Sequence, residues 1–173
     1  MKNLLFALLL LPVMAIASPL PITFDPSLFV TKNSLYRGCE ISTQGYTFDV
    51  TMLGWNLYSS TCTTTNLFPK INGTVYLRTG QIGTQKSAGQ MWMTPTIQGS
   101  TFSLVGFTIQ NYGSTNTLYL DTTTTEGHVI TTVLPASTNS ITFNPIAPGI
   151  SGITGLSIRS TNNKFDITNI SVK

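Results

Sequence analysis

The sequence predicts an all-β protein, a two-sheet antiparallel β-sandwich of jelly-roll type, and three observations carry that prediction. Short apolar runs recur between Gly, Pro, Asn and Ser, which gives about eight to ten candidate strands. Beyond the first 17 residues no apolar repeat follows the 3.6-residue spacing of a helix. The segment Phe165-Asp166-Ile167-Thr168-Asn169-Ile170-Ser171-Val172 alternates its side chains and closes the chain, as a strand tucked into an existing sheet would.

The elements follow in order. Lys2, the apolar run through Leu11 and the small residues Ala15 and Ala17 read as a secretory signal peptide over 1–17, leaving a single domain over 18–173. That run falls short of the roughly 20 residues of a spanning helix, so no transmembrane anchor is expected. Pro19, Pro21 and Pro26 confine the short opening strand Ile22-Thr23-Phe24-Asp25 to a sheet edge or an entry point. From Ser34 to Cys62 glycines interrupt the pattern, and aromatic-rich loops are expected to cover one end of the sandwich. Asn72-Gly73 turns the chain into a strand from Thr74 to Arg78.

Met91-Trp92-Met93 and Phe102 to Gln110 read as strands, with a phase slip at Val105-Gly106 that marks a bulge. Leu118-Tyr119-Leu120 leads into the threonine run Thr122 to Thr125, read as an exposed strand edge or connection because β-branched side chains favour extended backbone. Val129 to Leu134 and Ile141 to Phe143 follow, and Gly155 to Arg159 is expected to form a hairpin with the closing strand.

Cys39 and Cys62 are the only cysteines, and an even pair in an exported chain points to a disulfide, the alternative being two separate buried thiols. The bridge closes a loop worth roughly 3 kcal/mol in the chain-entropy account. Nine basic and six acidic residues, less Lys2, leave a nearly neutral mature chain with no arginine stripe for phosphates. Nucleic acid is therefore not an expected partner, and Ser, Thr, Asn and Gln must keep the surface in water.

The segments Phe102 to Ile109, Leu118-Tyr119-Leu120, Glu126 to Val129, Ile141-Thr142-Phe143, Gly155 to Ile158 and Phe165 to Ile170 together resemble secreted galactose-binding-like jelly-roll domains of the carbohydrate-binding-module kind. The resemblance covers about half of the mature chain and rests on strand order and spacing. It departs from the usual ending at Thr168, where an acidic residue commonly precedes the asparagine. The resemblance implies a non-catalytic module that binds glycans or other extracellular matter at loops on one end or one edge.

Flat aromatic rings cover the C–H face of a sugar while amides take its hydroxyls. Trp55, Tyr58, Trp92 and Tyr112, with Tyr46, are candidates for such a platform, and Asn56, Asn111 and Gln90 are their polar neighbours. The alternative is that Trp55 and Trp92 fill the core beneath the disulfide-tied loops. Asp25 and Asp166, with Asn169, are candidate oxygen ligands for Ca²⁺ if the terminal strands are adjacent, although no D-x-D-x-D-G series supports them. His128 beside Glu126 is a candidate general base with no G-x-S-x-G elbow, and the carboxylates Glu40, Asp49, Asp121 and Glu126 lie in no motif that would pair two of them as in a glycosidase. Asn72 and Asn169 begin N-glycosylation acceptor triplets.

Three functions therefore stand, in order. The first is a secreted, extracellular (or, in a Gram-negative bacterium, periplasmic) module that binds a glycan as a monomer or weak oligomer. The second is a structural or host-interaction protein whose partner is a cell-surface protein, and the third is a small hydrolase centred on His128.

Overall fold

The computed structural model describes residues 21–33, 38–52, 62, 67–79, 88–112, 115–134, 140–143 and 150–173. These form strands β1 (Pro21–Ile22), β2 (Val30–Asn33), β3 (Gly38–Thr43), β4 (Tyr46–Met52), β5 (Lys70–Ile71), β6 (Thr74–Val75) and β7 (Leu77–Thr79) in the first half. The second half supplies β8 (Gly89–Pro95), β9 (Phe102–Asn111), β10 (Leu118–Thr124), β11 (Val129–Val133), β12 (Ser140–Phe143), β13 (Ile150–Ser160) and β14 (Phe165–Val172). The expected signal peptide over 1–17 and the candidates Trp55, Asn56 and Tyr58 lie outside the described residues.

Two antiparallel layers enclose one core. The larger runs β2-β3-β4-β8-β13-β10-β11. In the smaller, β7 and β1 share one side of β14, β9 lies on its other side, and β12 follows. β13 belongs to both layers. Its first residues pair with β9 through Ile150 and Ile153, and its second half lies between β8 and β10. Within the first part Gly152 takes φ +67, a conformation glycine adopts without a Cβ penalty, at the register shift between Ile150 and Ile153, and Ile153 pairs with both β9 and β10 where the strand passes from one layer to the other.

The inner faces follow the period of two. Ile41, Phe48, Val50, Met91, Met93, Leu120 and Ile158 of the larger layer meet Leu77, Leu104, Ile109, Phe165 and Ile167 of the smaller, all fully buried. Phe24 edges onto Phe48 at 5.2 Å between centroids and Tyr46 onto Phe102 at 5.4 Å, joining the layers. Each such buried side chain contributes about 1.5–3 kcal/mol of transfer free energy.

Four expectations need correction. Residues 38–52 are not irregular loops but a regular hairpin, because Cys39, Ile41, Phe48 and Val50 alternate with polar neighbours. The turn Gln44-Gly45 supplies the two positive φ values (48° and 83°) that a tight hairpin requires. The threonine run is no exposed edge: Thr122 to Thr124 sit within β10, paired on both sides, and Thr122 is buried. The strand expected from Thr74 to Arg78 breaks at Tyr76, whose N–H turns to the Pro69 carbonyl at 3.0 Å. Finally, β13 and β14 are not a hydrogen-bonded hairpin, since β14 pairs with β9, β7 and β1 while β13 takes β8 and β10.

The disulfide is present, joining buried Cys39 on β3 to Cys62 with Cα atoms 5.5 Å apart. The expected bulge is present too. Between the Thr168–Thr108 and Ser171–Gly106 pairs two residues of β14, Asn169 and Ile170, stand against one of β9, Phe107, and the slip is recovered at Val105.

Candidate functional site

The outward side chains of the larger layer fall into register across its strands. One row runs Glu40, Asp49, Trp92, Ser157, Asp121, Thr131 from β3 to β11. A neighbouring row sets Gln90 opposite Arg159, and Arg159 opposite Tyr119. Trp92 points outward because Met91 and Met93 on either side of it are fully buried. It is half-buried at the centre of the sheet, where it lines a shallow depression of about 300 Å³ with Gln90, Thr94, Asp121, Thr123 and Val129.

Gly155 forms part of the floor. It carries no side chain between Thr94 and Thr123, where a Cβ would lie 3.7 Å from the Thr94 methyl and 3.9 Å from the Thr123 Cβ. The polar groups around it are held in place. Gln90 Nε2 donates to Ser157 Oγ at 3.0 Å, and Thr131 Oγ1 donates to Asp121 Oδ1 at 2.6 Å. Arg159 Nε donates to Asp121 Oδ2 at 2.8 Å while its guanidinium lies 4.2 Å from the Tyr119 ring centroid. The Asp121 charge is thus compensated, and the depression offers one indole, hydroxyls, an amide and a neutralised carboxylate.

A second polar cluster lies on the outer side of the smaller layer. Asp166 on β14 is fully buried and accepts from Arg78 Nε at 2.8 Å, Arg78 Nη2 at 2.7 Å and the Tyr112 hydroxyl at 2.6 Å. Burial, and then the hydrogen bond to Asp166, push the Tyr112 phenol up to about 12. The hydrogen bond to Asp166 raises Arg78, and burial followed by the Arg78 charge lowers Lys164, whose ammonium stands 4.8 Å from the Tyr112 ring centroid. Arg78 and Lys164 were not singled out in the sequence. An arginine opposite an aspartate becomes visible only once β7 and β14 are in register.

The sequence-predicted residues therefore separate. Trp92 belongs to the larger layer, and Tyr112 directly follows β9 of the smaller, engaged with Asp166, so the two do not share a platform. Asn111 is 1% exposed, its side-chain amide exchanging hydrogen bonds with Asn116 inside the domain, which removes it from contact with a ligand. Tyr46 packs on Phe102 and its phenol is raised by burial.

The candidate calcium donors are each engaged locally. Both Asp166 oxygens face Arg78 or Tyr112, and Asp25 is exposed with Oδ1 accepting from the Ser27 N–H, which lowers its pKa. Asn169 is exposed at the β14 bulge with φ 54°. A carboxylate held by a guanidinium is a poor calcium ligand, because the cation would have to displace it. Among the described residues no three His, Cys, Asp or Glu side chains converge. His128 and Glu126 form an exposed pair at 3.5 Å with side chains 76% and 79% exposed, a setting that supplies no cleft for a general base.

No protein-family model and no curated protein matches this chain. Among solved structures, the enzymatically active domain of tailspike protein 4 of bacteriophage CBA120 aligns over 86% of this chain at 13% identity and a TM-score of 0.37. The chain spans 19% of that structure's length, and at that score the likeness leaves function to be read from this chain's own residues.

Proposed function

We propose that this protein is an exported, non-catalytic binding module of the galactose-binding-like, jelly-roll kind. Its ligand is an uncharged extracellular glycan laid across the outer face of the larger sheet. The observation that carries the reading is Trp92, an outward indole at the centre of a sheet face, between Asp49 and Ser157 of the neighbouring strands and with Gln90 and Thr94 beside it on its own strand. A sugar ring offers the indole its C–H face and offers Gln90, Thr94, Ser157 and Asp121 its hydroxyls. The Cys39–Cys62 bridge supports export to an oxidising compartment, where such bonds persist. Among the described residues no helix is long and apolar enough to cross a membrane. Asn72, exposed at a turn, and exposed Asn169 are the acceptors for any N-linked glycan.

A glycan array probed with the oxidised mature protein, with and without Ca²⁺, tests this reading. Saturable binding to neutral glycans is expected, unchanged by Ca²⁺ and weakened about 30-fold by Trp92→Ala, the loss of a central aromatic contact of about 2 kcal/mol. Binding that requires Ca²⁺, or that survives Trp92→Ala, contradicts it. Protein recognition is the second reading, favoured by Val129, Ile130 and Val133, each more than half exposed on β11.

A further inference from the structure

We infer that β11 is a self-complementary edge through which two copies of this chain join their larger sheets. Among the described residues β11 pairs with β10 alone. The Leu134 N–H donates to the Leu118 carbonyl and the Thr124 N–H to the His128 carbonyl, which fixes the phase of the β10–β11 ladder. Residues 130 and 132 direct their backbone groups to β10, so Val129, Thr131 and Val133 direct theirs outward from the open edge.

The side chains favour the same partner. Val129-Ile130-Thr131-Thr132-Val133 has no charge and no proline, the two features that commonly blunt an edge, whereas the opposite edge strand β2 carries Lys32. An antiparallel two-fold axis through Thr131 sets Val129 opposite Val133 of the other copy, Ile130 opposite Thr132, and Thr131 opposite itself. Each outward-directed residue then exchanges both main-chain hydrogen bonds with its counterpart, and each apolar side chain meets an uncharged one. Glu126 and His128 fall beyond the paired stretch, so no like charges oppose. Val129 and Val133 are 61% exposed and Ile130 55%, apolar surface that this pairing covers. A five-residue strand buries less than the roughly 1,200 Å² of a standard stable interface, so the dimer is a weak one, formed at high local concentration.

Sedimentation equilibrium of the oxidised mature protein, from micromolar to millimolar concentration, tests the inference. A reversible monomer–dimer equilibrium is expected. Thr131→Pro, which removes an outward N–H at the two-fold axis, should weaken it about tenfold or more. The double variant Val129→Lys/Val133→Lys should be monomeric, as should Val129→Glu/Val133→Glu. An equimolar mixture of the two should dimerise again, because pairing through β11 then sets each lysine opposite a glutamate. A wild-type protein that stays monomeric overturns the inference. So does a dimer indifferent to these substitutions, or β11 pairing only with a foreign strand.

Discussion

At the scale of single residues the firmest chemistry is the Arg78–Asp166–Tyr112 cluster, in which one fully buried carboxylate is held by a two-point guanidinium contact and a phenol. Removing one partner of a buried pair leaves the other charge uncompensated. Arg78→Met should therefore lower unfolding free energy by about 3 kcal/mol, read from urea denaturation. Asp166→Asn with Arg78→Met should cost less than Arg78→Met alone. Tyr112 gives a pH signature. Its folded-state pKa stands above its ordinary value of 10, so the fold favours the protonated phenol. That contribution is fully present below pH 10 and is lost as pH rises towards about 12. The stability difference between wild type and Tyr112→Phe should thus shrink across that interval, and a difference that stays constant would show that the phenol's ionisation is not linked to folding. Little of this was legible in the sequence. Asp166 stood out as an acid on a closing strand, but its partner lies 88 positions away, and only strand register reveals a guanidinium there.

Individual elements repeat the lesson at longer range. Glycine interruptions and aromatic content made residues 38–52 look like loops, yet the alternation of Cys39, Ile41, Phe48 and Val50 was the stronger signal. The final strand was legible as a strand, but its partners were not. Proximity in sequence favoured β13, whereas β13 is already occupied on both sides by β8 and β10. The bulge was anticipated at Val105-Gly106, and its counterpart on β14 falls at Asn169, held at φ 54°. Asparagine tolerates that left-handed conformation better than most residues. Asn169→Gly should accordingly leave stability unchanged, while Asn169→Ala should cost about 1 kcal/mol, measured as a shift in denaturation midpoint without a change in slope. Equal effects of the two would show that the side chain, not the backbone, matters there.

For the whole molecule, composition and periodicity were enough to give the class: two antiparallel layers around an apolar core, with a disulfide linking Cys39 on β3 to Cys62. They were not enough to assemble the site. Trp92, Ser157 and Asp121 are far apart in sequence, and β13 brings them into one row by leaving the smaller layer beyond Ile153 and entering the larger between β8 and β10. Reduction of Cys39–Cys62 should lower stability by about 2–5 kcal/mol, seen as a fall in melting temperature on adding dithiothreitol. The most direct test of the account is isothermal titration of a neutral oligosaccharide, chosen from an array, into wild-type, Trp92→Ala and Tyr112→Phe proteins. Wild type and Tyr112→Phe should bind alike and Trp92→Ala about 30-fold more weakly, since the ligand rests on the larger sheet and not on the smaller. Undiminished binding by Trp92→Ala, or binding lost only with Tyr112→Phe, would contradict it.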